Sequence, residues 1–226
     1  GAVQLFTEEL LIEWVRGCVA KTGISDLVCG GGVFMNVKAN MRIAALPEIK
    51  SMYVMPSAAD ESLAIGAALH HFHQAANNPD FGASVLSNLY LGGSRSNEED
   101  AVIETARNQG SFKISCPKDM NIAIADLLAN GDVVATCRGR MEWGARSLGN
   151  RSILSPADDF RRVDTINTMI KMRDFWMPFA PSILDHAASD YFDDPKGITP
   201  QFMTFAFEAT KDGYEHLVAA SHPKDR

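Results

Sequence analysis

The chain has 226 residues, of which 46% are hydrophobic and 22% charged, and its formal net charge is −7 at pH 7. This balance is ordinary for a soluble globular protein. The lack of any apolar run near the roughly 20 residues that span a bilayer argues against a membrane protein and favours the cytoplasm. An acidic pI near 5.3 argues against a general nucleic-acid coat.

The first part of the chain predicts alternating helices and strands. Apolar residues at helical spacing predict a helix over residues 5–22, and Gly23 is placed to end it. The next expected elements are a strand at 26–29, a helix at 36–46, a strand at 51–54 and a helix at 60–75. This alternation favours an α/β layer with at least partly parallel strands.

Turn and loop residues dominate positions 76–97 and predict a domain boundary there. The elements expected after it are a helix at 98–108, a strand at 111–115, a helix at 119–129, a strand at 132–137, a helix at 161–172, an irregular proline-rich stretch at 175–181, a helix at 186–192 and a strand at 202–207. Two domains are expected, residues 1–92 and 93–226. Because the first holds only two clear strands, we expect a fragment of a longer protein.

The four cysteines, Cys18, Cys29, Cys116 and Cys137, are widely scattered. They form no CxxC pair, and most have apolar neighbours in the sequence. This pattern predicts buried free thiols in a reducing compartment, in preference to disulfides or zinc ligands.

A glycine triplet lies between a predicted strand and a predicted helix, in the segment Gly30-Gly-Gly-Val-Phe-Met-Asn36. Backbone amides in such a turn, together with the positive helix N-terminus, suit anionic phosphate groups. The segment has neither the GK[ST] ending of a Walker A loop nor the GxGxxG spacing of a dinucleotide site. A phosphate-binding turn and a plain tight turn both stay open.

Asp60 ends the run Pro56-Ser-Ala-Ala-Asp60 and precedes a predicted helix. It fits an ordinary N-cap. It also fits a ligand to a metal or to a metal-bound nucleotide, because α/β sheets place ligands at strand ends. The nearby His70, His71 and His73 do not share a helical face, so we do not expect them to bind a metal together.

An arginine loop, Arg138-Gly-Arg-Met-Glu-Trp-Gly-Ala-Arg-Ser-Leu-Gly-Asn-Arg151, carries four arginines and one glutamate, a local charge of +3. Guanidinium groups match phosphate and carboxylate oxygens, and Glu142 is expected to orient one of them. The loop therefore favours a small phosphorylated substrate over a set of internal salt bridges. Lys171 and Arg173 add a second basic cluster beside a proline-stiffened apolar stretch.

Two long segments carry a family resemblance. They are Gly139-Arg-Met-Glu-Trp-Gly-Ala-Arg-Ser-Leu-Gly-Asn-Arg-Ser-Ile-Leu154 and Ile170-Lys-Met-Arg-Asp-Phe-Trp-Met-Pro-Phe-Ala-Pro-Ser-Ile-Leu184. Together with the glycine triplet and Asp60, they resemble the carbamoyltransferases of nodulation-factor and antibiotic biosynthesis. The resemblance implies an α/β protein in which part of an actin-like (RNase H-like) ATPase domain precedes a truncated YrdC-like α/β domain.

The resemblance also implies a reaction. Members of this family use ATP to turn carbamoyl phosphate into a carbamoyl-adenylate, then pass the carbamoyl group to a hydroxyl of a sugar or natural product. By this likeness the nucleotide would contact Gly30, Gly31, Gly32 and Asn36. Asp60 would help to hold a divalent metal, Fe or Mg, shared with an upstream part of the protein. The carbamoyl phosphate pocket would be lined by Arg140, Arg146, Arg151, Lys171 and Arg173.

The chain departs from the family pattern at several points. Ala145 and Ser147 stand where the family has proline and alanine, and Met177 stands where an arginine usually precedes the Pro-Phe-Ala-Pro run. The upstream histidine motif and a downstream Thr-x-Arg-Pro-Gln stretch are absent from the sequence. We therefore expect a pocket short of one charge and a chain that is inactive alone, although the parent protein is expected to be an enzyme.

Two other functions stay open. A carbamoyltransferase of the hydrogenase-maturation type would require CxxC pairs and an acylphosphatase-like segment, which this sequence lacks. A YrdC-like module could bind nucleic acid, but the acidic balance and the lack of an aromatic-basic stripe disfavour this function. The expected partners are carbamoyl phosphate and a hydroxyl-bearing small molecule, with no membrane, and a homodimer is compatible with the sequence.

Overall fold

The computed structural model describes residues 1–76, 86–94, 98–174, 177–198 and 200–222. The α-helices are α1 (Ala2–Thr22), α2 (Val37–Ala44), α3 (Glu61–Ala76), α4 (Glu99–Gln109), α5 (Met120–Ala129), α6 (Arg161–Thr165), α7 (Ala188–Tyr191) and α8 (Lys211–His216). The strands are β1 (Asp26–Cys29), β2 (Ser51–Val54), β3 (Val134–Ala135), β4 (Ile153–Leu154), β5 (Phe192–Asp193) and β6 (Glu208–Ala209). There are also 3-10 turns at Gly32–Met35 and Asp185–Ala187 and a π-helical turn at Ile166–Ile170.

The chain divides into two compact units. The first contains Gly1–Leu89, Gly144–Arg146 and Leu184–Thr210. The second contains Tyr90–Trp143, Ser147–Ile183 and Lys211–Arg226. The arginine loop therefore contributes residues to both units. The predicted domain boundary between residues 92 and 93 stays a prediction.

The core of the first unit surrounds a parallel pair of strands. β1 pairs with β2 in parallel, from Asp26 opposite Ser51 to Cys29 opposite Val54. Both predicted strands and their parallel direction are thereby confirmed. The side chains of the core cluster come from α1, β1, α2, β2, the turns between them and the segment after β2: Leu11, Val15, Cys29, Phe34, Ala39, Ile43, Ala44, Leu46, Ile49, Met52, Val54 and Ala58. This packing fixes the glycine triplet at the end of β1.

In the second unit a short hairpin supports the arginine loop. β3 pairs with β4 in antiparallel register. Beyond the strands, the N–H of Thr136 donates to the carbonyl of Ser152 at 2.7 Å, and the N–H of Arg138 donates to the carbonyl of Asn150 at 3.0 Å. The Thr136 hydroxyl also donates to the carbonyl of Gly149 at 2.8 Å. The loop therefore begins and ends on hydrogen-bonded backbone.

Three predicted strands are wrong or too long. The strand expected at 111–115 is absent from the described residues, since this stretch is mostly exposed and no neighbouring strand pairs with it. The strand expected at 132–137 shrinks to β3, although backbone hydrogen bonds from Thr136 and Arg138 continue beyond it. The strand expected at 202–207 is replaced by a turn at Met203, which has a positive φ of 55°, and β6 follows it.

The predicted helices are confirmed with two changes. The helix expected at 186–192 is reduced to the 3-10 turn Asp185–Ala187 and α7, and Phe192 already belongs to β5. The helix expected at 161–172 begins as α6 but continues as the π turn Ile166–Ile170. The prediction of buried thiols is wrong for most of the cysteines. All four are free, but Cys29 is the buried one, while Cys18, Cys116 and Cys137 lie on the surface.

The coarser fold class, a mixed α/β protein with small sheets, is confirmed. The actin-like and YrdC-like assignments stay predictions. Within the described parts of the chain, no helix is both long and apolar enough to cross a membrane. The turns expected at 77–85 and 95–97, and Phe175 with Trp176, lie outside the described residues.

Candidate functional site

The glycine triplet forms an open turn in the first unit. Gly31 has a φ of +100°, a backbone conformation that favours glycine, and its carbonyl accepts a hydrogen bond from the N–H of Phe34 at 3.0 Å. All three glycines are exposed. A Cβ placed on Gly30, Gly31 or Gly32 would meet no other atom within 4 Å. A ligand can therefore approach this backbone closely, as a phosphate group would need to do.

Asn36 already has protein partners. Its Oδ1 accepts from the N–H of Ala39 at 3.1 Å, which makes it the N-cap of α2. The same oxygen accepts from Nε2 of Gln4 at 3.1 Å, and its Nδ2 donates to Oε1 of Gln4 at 3.0 Å. The predicted nucleotide contact of Asn36 would have to replace or share these bonds.

Glu8 extends this network into the core of the first unit. Its side chain is 3% exposed, and its Oε2 lies 2.6 Å from Nη1 of Arg42. Its Oε1 accepts from Nε2 of Gln4 at 2.6 Å. Burial raises the pKa of Glu8, but the hydrogen bonds from Arg42 and Gln4 outweigh burial, so the pKa lies below its ordinary value. The network thus links α1, α2 and the cap that follows the glycine turn.

Asp60 is exposed and immediately precedes α3. The hydroxyl of the buried Ser57 donates to the carboxylate of Glu61, and this bond lowers the pKa of Glu61. The described residues contain no group of three or more His, Cys, Asp or Glu side chains that could hold a metal. Asp60 therefore supplies one carboxylate and no complete metal site. The metal stays a prediction.

Residues 144–146 of the arginine loop contact both motifs of the first unit. Gly144 has a φ of +108°, and a Cβ added there would lie 3.1 Å from Cβ of Ser57. Nη2 of Arg146 donates to the carbonyl of Met35 at 3.4 Å, a long hydrogen bond. Since Met35 closes the 3-10 turn after the glycine triplet, Arg146 lies near the turn that was predicted to bind nucleotide.

Glu142 organises the part of the arginine loop that lies in the second unit. Its Oε1 accepts from the N–H groups of Leu148 at 2.6 Å and Asn150 at 2.8 Å. Its Oε2 accepts from the N–H of Arg151 at 3.1 Å. The prediction that Glu142 orients a guanidinium is therefore wrong. The carboxylate instead accepts from three backbone N–H groups, because its two oxygens carry enough lone pairs for all three hydrogen bonds.

Arg140 and Arg151 direct their guanidinium groups at backbone carbonyls. Arg140 donates from Nε to Gly92 at 2.9 Å and from Nη2 to Leu91 at 3.0 Å. Arg151 donates from Nη1 to Arg138, and from Nη2 to Gly139 at 3.2 Å. Both arginines thus hold the shape of the loop. Their predicted contact with carbamoyl phosphate would depend on the remaining donor atoms.

Lys171 and Arg173 lie on the turn that follows the π helix. Lys171 is exposed and its ammonium has no hydrogen-bond or ion-pair partner among the described residues. Nε of Arg173 donates to Oδ1 of Asn167 at 2.6 Å. The guanidinium carbon of Arg173 lies 4.8 Å from the ring centroid of Phe179, a cation–π contact. This turn presents two cations whose terminal nitrogens are available to a ligand.

The predicted cations are distributed over both units. Arg146 belongs to the first unit, and Arg140, Arg151, Lys171 and Arg173 belong to the second. The structure brings Arg146 to the glycine turn, directs the guanidinium groups of Arg140 and Arg151 at backbone carbonyls, and places Lys171 and Arg173 on one turn. The roles of these residues in binding stay predictions.

Sequence reasoning missed several polar residues that support these groups. Asn40 is fully buried, and its Nδ2 donates to the carbonyls of Phe34 at 2.7 Å and Thr204 at 2.8 Å. Asn167 is also fully buried. No pattern in the sequence alone predicts that Asn40 or Asn167 is buried. Glu8 had such a pattern, because it shares the buried face of α1 with Leu11 and Val15.

Two family models match the chain. The model described as carbamoyltransferase N-terminus matches residues 1–69, and the model described as carbamoyltransferase C-terminus matches residues 125–226. The N-terminal match includes the glycine triplet and Asp60. The C-terminal match includes the arginine loop with Lys171 and Arg173.

Individual proteins are similar over most of the chain. An uncharacterised protein of Synechocystis sp. is 33% identical over 85% of this chain and 32% of its own length. Nodulation protein NolO of Bradyrhizobium diazoefficiens is 31% identical over 98% of the chain and 40% of its own length. The 3'-hydroxymethylcephem-O-carbamoyltransferase of Streptomyces clavuligerus is 31% identical over 86% of the chain and 36% of its own length.

The chain thus spans between 32% and 40% of the length of these relatives. The two family models match its beginning and its end in the order their descriptions imply. On these matches, the chain belongs to the carbamoyltransferase family.

Proposed function

We propose that this chain is part of an ATP-dependent O-carbamoyltransferase that transfers the carbamoyl group of carbamoyl phosphate to a hydroxyl of a sugar or natural product. The observation that carries the proposal is the turn with Lys171 and Arg173, within the C-terminal family match. Lysine as a compact charge and arginine as a fork are suited to the oxygens of a phosphate group. The name of the Streptomyces relative, an O-carbamoyltransferase, supports an oxygen atom as the acceptor.

The cations have separable roles in this proposal. Lys171 and Arg173 would bind the phosphate oxygens and offset the repulsion that arises when two anionic substrates meet. Arg146 would add charge beside the glycine turn. Arg140 and Arg151 would keep the loop in shape, with their remaining donors at its surface. No side chain has to act as a nucleophile, because the acceptor hydroxyl attacks the carbamoyl carbon.

The glycine turn is the proposed nucleotide contact. Its exposed backbone and the open space around its Cα atoms fit the close approach of a phosphate group. When bound, ATP supplies the adenylyl group that activates the carbamoyl donor. The described residues do not complete a metal site around Asp60, so the proposal takes no step through a metal ion.

Titration calorimetry with carbamoyl phosphate tests the proposal on the 226-residue chain, since binding can be measured without turnover. We expect saturable binding that weakens about tenfold or more in Lys171→Ala and in Arg173→Ala, because each variant loses one charge-assisted contact. Lys113→Ala is a matched control, because Lys113 is an exposed lysine outside the candidate site. Tight tRNA binding with no response to carbamoyl phosphate would show that the nucleic-acid alternative is right.

A further inference from the structure

The segment before Arg173 has an irregular backbone. The helix that begins as α6 widens into the π turn Ile166–Ile170, and the N–H of Lys171 donates to the carbonyl of Ile166 at 2.8 Å. Met172 then has a φ of +48°, although it is not a glycine. Its side chain is 87% exposed, so its own packing does not explain this conformation. Single π turns and left-handed non-glycine residues are both uncommon, and both concentrate at functional sites.

Asn167 lies on the π turn and supports the side chain of Arg173. Its side chain is fully buried. Its Oδ1 accepts from Nε of Arg173 at 2.6 Å, and its Nδ2 donates to the carbonyl of Met177 at 3.0 Å. The backbone carbonyl of Asn167 also accepts from the N–H of Arg173 at 2.9 Å. Asn167 therefore contacts Arg173 through both its side chain and its backbone.

These contacts restrict the guanidinium of Arg173 from two sides. Its Nε is bonded to a buried acceptor, and its carbon lies 4.8 Å from the ring centroid of Phe179. Nη1 and Nη2 have no acceptor among the described residues. The two terminal nitrogens are the edge that bonds a phosphate or carboxylate with two parallel hydrogen bonds. An arginine held in this way loses little conformational entropy when it binds an anion.

We infer that Asn167 is a positioning residue that holds the Arg173 guanidinium in the orientation needed to bind the phosphate group of the substrate. This inference rests on the proposed function. It assigns no contact between Asn167 and the substrate, because Asn167 is buried behind the arginine. Lys171, on the same turn, receives no comparable support from Asn167.

The test measures the affinity of the 226-residue chain for carbamoyl phosphate and for inorganic phosphate in four forms: wild type, Asn167→Ser, Arg173→Gln and the double variant. The serine side chain is too short for its hydroxyl oxygen to reach Nε of Arg173. We expect each single variant to bind about tenfold more weakly, and the double variant to bind no more weakly than Arg173→Gln. Such non-additivity means that Asn167 acts through Arg173. Asn108→Ser, at an exposed position on α4, is the control.

A second measurement does not depend on the folding of Asn167→Ser. In the 15N-edited spectrum of the wild-type chain, the Nε–H signal of Arg173 is identified by its loss in Arg173→Lys. It should exchange slowly with water, because its proton is bonded to a buried oxygen. The Nε–H of the exposed Arg107 should exchange fast.

Each outcome decides a different question. Wild-type affinity in Asn167→Ser, full additivity in the double variant, or fast exchange of the Arg173 Nε–H overturns the inference while the proposed function stands. If the wild-type chain binds neither carbamoyl phosphate nor inorganic phosphate, the proposed function fails and the inference fails with it.

Discussion

The arginine loop and the turn with Lys171 and Arg173 carry the same kind of charge but use it differently. In the loop, the guanidinium groups of Arg140 and Arg151 donate to backbone carbonyls of the second unit. In the turn, the ammonium of Lys171 has no hydrogen-bond or ion-pair partner among the described residues, and the guanidinium of Arg173 donates only from Nε. The difference shows that a dense arginine motif can be mostly scaffold, while a sparser pair of cations keeps terminal nitrogens that have no hydrogen-bond partner among the described residues.

The two regions also differ in what fixes their backbone. A charged carboxylate, Glu142, gathers three N–H groups of the loop. A neutral buried amide, Asn167, holds the turn. Substitution of Glu142 should therefore lower the stability of the folded chain, whereas substitution of Asn167 should weaken ligand binding.

The largest effect is expected from Glu142→Ala. It leaves three loop N–H groups without their acceptor, and we expect the free energy of unfolding to fall by about 3 kcal/mol. Urea unfolding followed by circular dichroism measures this change. Glu104→Ala, at an exposed position on α4, should change it by less than about 0.5 kcal/mol. An equally small change in Glu142→Ala would mean that the loop does not depend on its carboxylate.

Gly144→Ala comes next, and it tests the part of the loop that lies in the first unit. The new Cβ would lie 3.1 Å from Cβ of Ser57 on a backbone with a φ of +108°. We expect a loss of about 2 kcal/mol in the same unfolding experiment. Gly17→Ala, inside α1 with no atom within 4 Å of the new Cβ, should instead stabilise the chain by about 0.5–1 kcal/mol. Equal signs for the two variants would contradict this account of Gly144.

A smaller effect on unfolding distinguishes the arginine loop from the turn with Lys171 and Arg173. Arg151→Ala should lower the free energy of unfolding by about 1 kcal/mol, because its guanidinium holds the loop. Lys171→Ala should leave unfolding within about 0.5 kcal/mol of wild type and weaken carbamoyl phosphate binding. Unfolding and calorimetry on the same two samples measure both quantities. The distinction between scaffold and presented cation is lost if Lys171→Ala destabilises the chain as much as Arg151→Ala.

The smallest effect concerns Glu8, a buried carboxylate that is paired with a guanidinium, whereas the half-buried Glu142 accepts from backbone N–H groups. The pKa of Glu8 lies below its ordinary value of 4.5, so the folded chain holds fewer protons on Glu8 than the unfolded chain does. Its stabilisation is therefore present above that ordinary value and is lost as the pH falls through the lowered pKa. Unfolding measured between about pH 7 and pH 3 should depend on pH less steeply in Glu8→Gln than in wild type. Identical slopes would show that Glu8 is not ionised in its pair.

Local sequence patterns predicted the two strands of the first unit, β1 and β2. β1 and β2 have the predicted bounds because each is a short run that glycine or proline follows within two residues. Residues 111–115 have a strand-like composition, but a strand also requires a partner, and none pairs with them in the described chain. The π turn at Ile166–Ile170 has no sequence signature, so a regular helix was predicted in its place.

The sequence predicted the basic residues of the candidate site. It did not predict which of them hold the loop in shape and which keep donor atoms for a ligand. The loop and the turn both stood out by their basic residues. Arg140, however, donates to carbonyls about fifty positions earlier in the chain, at Leu91 and Gly92. Such pairings arise from tertiary structure and carry no local pattern. The supporting amide of Asn167 was missed for the same reason.

The support of Arg173 is insensitive to the side chain at position 177. Asn167 donates to the backbone carbonyl of Met177, a group that every amino acid carries. An arginine at this position would therefore leave the hydrogen bond in place. The local charge of this chain can therefore change by one substitution at position 177 without loss of the hydrogen bond that Asn167 donates there.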